Sequence, residues 1–92
     1  MATLFQPEGS ERYVRPANGR DFTLAELQGF VGGYIEVVYS YNRRRQRGKI
    51  LVIDEEGKLK GLPVNARASE IFSSPFDVIV GPALLCRDDE VR

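Results

Sequence analysis

Between Thr23 and Tyr39 the chain reads TLAELQGFVGGYIEVVY, and its hydrophobic period changes from 3.6 to 2 across the pair Gly32-Gly33. Such a switch dictates a helix that stops and hands the backbone to a strand. Thr23 followed three residues later by Glu26 forms a T-x-x-E capping box, in which each side chain satisfies an otherwise orphaned backbone N–H. The spacing predicts an amphipathic helix with Leu24, Leu27 and Val31 on one face and Phe30 at its edge. Gly32 or Gly33 closes it in the left-handed conformation, which costs glycine no Cβ clash. Tyr34 to Tyr39 then alternates, with Tyr34, Glu36 and Val38 on one face and Ile35, Val37 and Tyr39 on the other.

Other segments add strands around this junction. Thr3 to Phe5 and Arg12 to Arg15 flank the turn-like Pro7-Glu8-Gly9-Ser10, giving either a strand pair or one strand behind a loosely ordered leader of residues 1–11. Pro16-Ala17-Asn18-Gly19 marks a turn. Ser40 to Gly48, SYNRRRQRG, suits a hairpin loop, and Lys49 to Asp54, KILVID, is apolar on both faces and belongs inside the sheet, antiparallel to Tyr34–Tyr39. Asp54-Glu55-Glu56-Gly57 reads as a tight turn with positive φ at Gly57, and Lys58 to Leu62 as a short returning edge segment halted by Pro63. Asn65 caps a short helix over Ala66 to Phe72. Asp77 to Cys86 forms the last strand, bulged or at an edge where Gly81-Pro82 interrupts it, and RDDEVR, residues 87–92, is expected to fray. The fold class expected is α+β: a single domain over residues 1–92, with a small, mainly antiparallel sheet of about four to five strands and one or two short helices packed on it.

Composition narrows the chemistry. The chain has 13 basic and 13 acidic residues, so it lacks the overall positive field of a general nucleic-acid binder. It has one cysteine and no histidine, which argues against a disulfide or a Cys/His metal site; no metal and no cofactor are expected. Cys86, in an apolar run, reads as a small buried hydrophobe. No histidine base, G-x-S-x-G elbow or phosphate-binding Gly-Lys-Ser/Thr loop is present, so the expectation is a protein that is not an enzyme. No secretory h-region and no run of 18 apolar residues occurs, and a cytoplasmic protein with no membrane partner is expected.

One charge anomaly remains. Arg43, Arg44, Arg45 and Arg47 share a single loop with Lys49; they repel one another and welcome phosphate oxygens, to which guanidinium binds bidentately. Tyr39 and Tyr41 lie beside them as surfaces on which a base stacks. The bland alternative is a solvated loop, or one pairing with acidic residues such as Asp54 to Glu56 of a neighbour. The run Asp54 to Asn65 offers carboxylates, lysines and Asn65 to a cation or polar ligand, yet its oxygens do not alternate as in a calcium loop, and turn chemistry with Asn65 as a helix cap accounts for it. Glu36 and Tyr34 are read as a solvent-facing pair.

The segments VGGYIEVV, DEEGKLKGLPVN and DVIVGPALLC, in this order between about Thr23 and Cys86, resemble a small domain-of-unknown-function family of bacteriophages and other mobile elements. The resemblance implies a compact α+β fold, a mobile-element origin and no catalytic residues. Where members of that family have a short link between the first two core strands, this chain carries the arginine loop. By analogy with small phage proteins that sequester nucleotide-derived defence signals, often as homo-oligomers, the expected role is an accessory protein that binds such a phosphate-bearing signal in the host cytosol. Tyr41, Arg43, Arg44, Arg45, Arg47 and Asn65 are its candidate ligand residues. The alternatives are a nucleic-acid-associated accessory protein using the same arginines and a protein-interaction inhibitor of a host factor.

Overall fold

The computed structural model describes residues 2–91. Five strands form one antiparallel sheet: β1 (Ala2–Phe5), β2 (Glu11–Val14), β3 (Ile35–Val38), β4 (Lys49–Asp54) and β5 (Ala83–Arg87), in the order β2-β1-β5-β4-β3. Helix α1 (Leu24–Val31) lies on one face and α2 (Ala66–Phe72) on the other. The strands alternate accordingly. Ile50, Val52, Leu84 and Cys86 point towards α1, where they join Leu4, Phe22, Leu27 and Val31. Leu51, Ile53, Ala83 and Leu85 point towards α2 and meet Ala68, Ile71, Phe72 and Ile79. Each face therefore has its own apolar core, and β4 and β5 are covered on both sides.

The capping box forms: Thr23 N–H donates to Glu26 Oε1 at 2.9 Å, and Glu26 N–H donates to Thr23 Oγ1 at 3.2 Å. Gly32 stops the helix with φ of 85°. The apolar face is narrower than the spacing predicts, because Leu24 sits in the first turn and is exposed, leaving Leu27 and Val31 buried with Phe30 beside them. Phe30 meets the fully buried Phe22 edge-on at 5.8 Å.

Of the two readings of the first residues, the strand pair forms, with β1 between β2 and β5. Four other expectations need correction. Lys58 to Leu62 is not an edge strand: residues 55–61 coil through successive turns, with Lys60 N–H donating to Glu56 O and Leu62 N–H to Gly57 O. The positive φ falls on Gly61, at 69°, and not on Gly57, whose missing Cβ instead makes room for Val80 Cγ2. The last strand starts only at Ala83 and is the central one; Gly81-Pro82 precedes it, so neither a bulge nor an edge position is required. Residues 88–90 form a short 3-10 turn, in which Glu90 is buried and its carbonyl accepts from Phe22 N–H at 2.6 Å. Val91 then bridges to Phe22, so the described part of the tail is docked. Among the described residues, no helix is long and apolar enough to cross a membrane.

Candidate functional site

The arginine loop connects β3 to β4, and three sets of hydrogen bonds tie it down. The buried Ser40 hydroxyl donates to Ile71 O at 2.6 Å and accepts from Asn42 N–H at 3.0 Å, while Tyr41 N–H donates to Phe72 O at 2.8 Å. Asn42 then organises the turn: its side-chain oxygen accepts from Arg45 N–H and its carbonyl from Gln46 N–H. At the exit, Lys49 N–H donates to Gln46 O, and Gly48 O accepts from Asp88 N–H at 2.9 Å. The loop is thus anchored to the end of α2 at one side and to the 3-10 turn at the other. The arginine side chains project from this framework.

The four guanidiniums do not act as one group. Arg43, Arg44 and Arg47, with Gly48, line an open recess of about 500 Å³. Arg45 turns to a second recess of about 240 Å³ on the α2 side, shared with Asn42, Gln46, Arg67 and Glu70. Arg67 pairs there with Glu70 at 3.3 Å. Among the described residues none of the four loop arginines forms an ion pair with a carboxylate, although the Asp88 backbone is bonded to Gly48; Arg87 takes Asp89 at 3.0 Å. A cluster of like charges without internal partners is strongly hydrated and repays an anion that brings several oxygens at once.

The aromatic neighbour is Tyr39 and not Tyr41. Arg43 lies over the Tyr39 ring at 5.0 Å from its centroid, a cation–π contact that holds the guanidinium beside the recess. Tyr41 packs edge-on against Phe72 at 5.4 Å and does not line the arginine recess. The signal for Tyr39 is local: a side chain at the strand end, four residues before the arginine.

Asn65 is removed from the candidate set by its surroundings. It is fully buried; its side-chain NH2 donates to Phe5 O at 3.0 Å and Gly81 O at 2.9 Å, and its Oδ1 accepts from Ala68 N–H at 3.1 Å. Every hydrogen-bonding group of this amide has a protein partner, so it caps α2 and stitches the helix to β1 and to the approach of β5. Asp54 is likewise occupied. Buried at the end of β4, it accepts from Lys60 Nζ at 2.7 Å and Glu56 N–H at 2.9 Å, and Lys60 also reaches Gly32 O. Burial alone raises its pKa, but the Lys60 and Glu56 hydrogen bonds outweigh it and hold the carboxyl below the usual range. Glu36 is exposed at the rim of a more apolar groove of about 230 Å³, lined by Val38, Ile53, Glu55, Leu59 and Val78.

The sequence profile of a family described as a domain of unknown function (DUF3846) matches residues 2–92, and the chain belongs to that family. The match takes in β1, β2 and the docked tail as well as the Thr23–Cys86 segment. No curated protein and no solved structure matches the chain.

Proposed function

We propose that this DUF3846 domain is a binding protein for a phosphate-bearing ligand, held at the recess of Arg43, Arg44 and Arg47 and not chemically altered there. The observation that supports this reading is the convergence on one anchored loop of three guanidiniums that have no carboxylate partner among the described residues. Guanidinium forks match phosphate geometry, and Arg43 is already oriented by Tyr39. The phage and mobile-element setting that the family resemblance implies makes a nucleotide-derived host-defence signal, sequestered in the cytosol, the ligand class we favour. One feature favours a second reading, nucleic-acid backbone binding: the recess is open, and guanidiniums with Gly48 line it, without an apolar wall to enclose a base.

A thermal-shift screen against nucleotides, cyclic dinucleotides, ADP-ribose derivatives and short DNA tests both, because a ligand that binds only the native state raises Tm. For a small nucleotide, affinity should fall shallowly with salt. For a nucleic-acid strand it should fall by roughly 0.7 to 0.9 log units per log unit of salt for each phosphate neutralised. Replacing Arg43, Arg44 and Arg47 together with alanine should weaken binding by on the order of 100-fold, given about 1.5 to 3 kcal/mol per charged hydrogen bond lost and partial solvent screening. No shift with any ligand, or binding unaffected by the triple substitution, removes the proposal.

A further inference from the structure

The two edges of the sheet differ in chemistry. β2 presents Glu11, Arg12 and Tyr13 to solvent, and charged edge strands resist the addition of another chain. β3, at the other end, is IEVV, with Val37 exposed and Tyr34 and Tyr39 exposed at its two ends. Its outward groups follow from its register. Glu55 N–H donates to Tyr34 O at 2.8 Å, so Tyr34 and Glu55 are a hydrogen-bonded pair in line with Ile35↔Asp54 and Glu36↔Ile53. Antiparallel bonds alternate, which leaves the N–H and C=O of Ile35 and Val37 aimed away from β4.

We propose that this edge is a self-association surface, on which two copies of the chain pair antiparallel through β3 about a two-fold axis at Val37. Registers centred on Glu36, Val37 or Val38 bring outward groups face to face, and the one on Val37 engages Ile35, Val37 and Tyr39 together where the others engage two of the three. Centring on Glu36 sets two carboxylates directly opposite in a close pair, which is destabilising. Centring on Val37 sets Val37 against itself, Ile35 against Tyr39, and Glu36 against Val38. Charge at the ends favours the same antiparallel sense. The arginine loop follows the C-terminal end of β3, while Glu55 and Glu56, neither in an ion pair among the described residues, flank its N-terminal end. Antiparallel pairing brings the basic end of each copy to the acidic end of the other, an attraction that salt screens. The inference does not depend on the phosphate reading, since the seam is formed by backbone groups of β3.

Sedimentation velocity of the whole chain over a concentration series tests it. A seam of five residues, Ile35 to Tyr39, is small beside the ~1,200 Å² of a standard interface, so a concentration-dependent dimer is expected. Val37→Lys places two ammonium groups at the axis and should raise the dimer dissociation constant by about tenfold or more, while Tyr13→Lys on the opposite edge should leave it unchanged. Circular dichroism of Val37→Lys should match the parent, since the side chain is already exposed. Val37→Cys should cross-link into a disulfide dimer on mild oxidation, because a hydrogen-bonded pair has its Cα atoms ~5.5 Å apart, and the buried Cys86 does not compete. A monomer at all concentrations overturns the proposal and leaves the edge to solvent or to a foreign strand. So does a dimer indifferent to Val37→Lys, or one that Glu36→Cys cross-links and Val37→Cys does not, which would centre the axis on Glu36.

Discussion

Replacing Asn65 with alanine separates a structural amide from a ligand-reading one. Three hydrogen bonds disappear together: the cap to Ala68 N–H and the two donations to Phe5 O and Gly81 O, all in a site without solvent exposure. Loss of a cap costs about 1 kcal/mol, and each buried carbonyl deprived of its donor about 1 to 3 kcal/mol. Allowing for relaxation and shared partners, the total should be about 3 to 5 kcal/mol, a large part of the roughly 5 to 15 kcal/mol that holds a small domain together. For a chain of this size that lowers Tm by on the order of 20 °C. Helix α2 has seven residues and cannot persist without tertiary support, so the helical signal should be lost in the same transition. Urea unfolding followed by far-UV circular dichroism gives the number. Asn65→Asp is the sharper comparator. It keeps the cap acceptor but turns a carboxylate oxygen towards two carbonyls, and at neutral pH should be at least as damaging as alanine. A change of less than about 1 kcal/mol in Asn65→Ala would refute this accounting of the buried amide.

Two further outcomes follow from the buried titratable groups. Asp54 has a folded pKa below its ordinary value despite burial, so its contribution is fully present above the unfolded pKa of about 3.9 and is lost as pH falls through the folded value. Lys60→Met should destabilise by about 1 to 3 kcal/mol at neutral pH and shrink that acid-side loss of stability, as measured by unfolding at several pH values. Burial, reinforced by the nearby Glu90 charge, pushes the Cys86 thiol up to about 12. Its labelling by a disulfide reagent at neutral pH should therefore be slow and track unfolding, and prompt labelling of the native protein would contradict the packing at β5.

The elements legible in the sequence were those specified by short-range chemistry. The Thr23–Glu26 box, the Gly32 stop, the 3.6-to-2 switch and the Asn65 cap all lie within a few residues of the groups they satisfy. What escaped depends on partners distant in sequence. Gly57 reads as a positive-φ turn residue until Val80 is seen filling the space of its Cβ. Gly81-Pro82 reads as a break within a strand, whereas Val80 bridges to Val64 in an approach that ends before β5 begins. The tail RDDEVR reads as solvated because its charges hide the Phe22 to Glu90 backbone bond. In the site, the arginines were visible as a composition anomaly, but their division between two recesses depends on the turn that Asn42 sets.

That turn also changes the energetic argument for binding. From sequence the loop is mobile, and a ligand would have to order its backbone at roughly 1 to 2 kcal/mol per residue. In the folded protein Ser40, Asn42, Gln46 and Gly48 have already fixed that backbone through contacts with α2, within the loop and with residue 88. None of the three recess arginines contributes a side-chain hydrogen bond or ion pair to this framework among the described residues; Arg43 adds only its cation–π contact with Tyr39. The anchoring and the charge are thus carried by different residues. On the protein's side the ordering cost of binding is then the freezing of side-chain rotamers, about 2 kcal/mol at most for each arginine, less for Arg43 resting on its ring. The recess is consequently a place where charge can be removed for study without unfolding the domain, while loss of Asn42 should disperse the same guanidiniums with their charges intact.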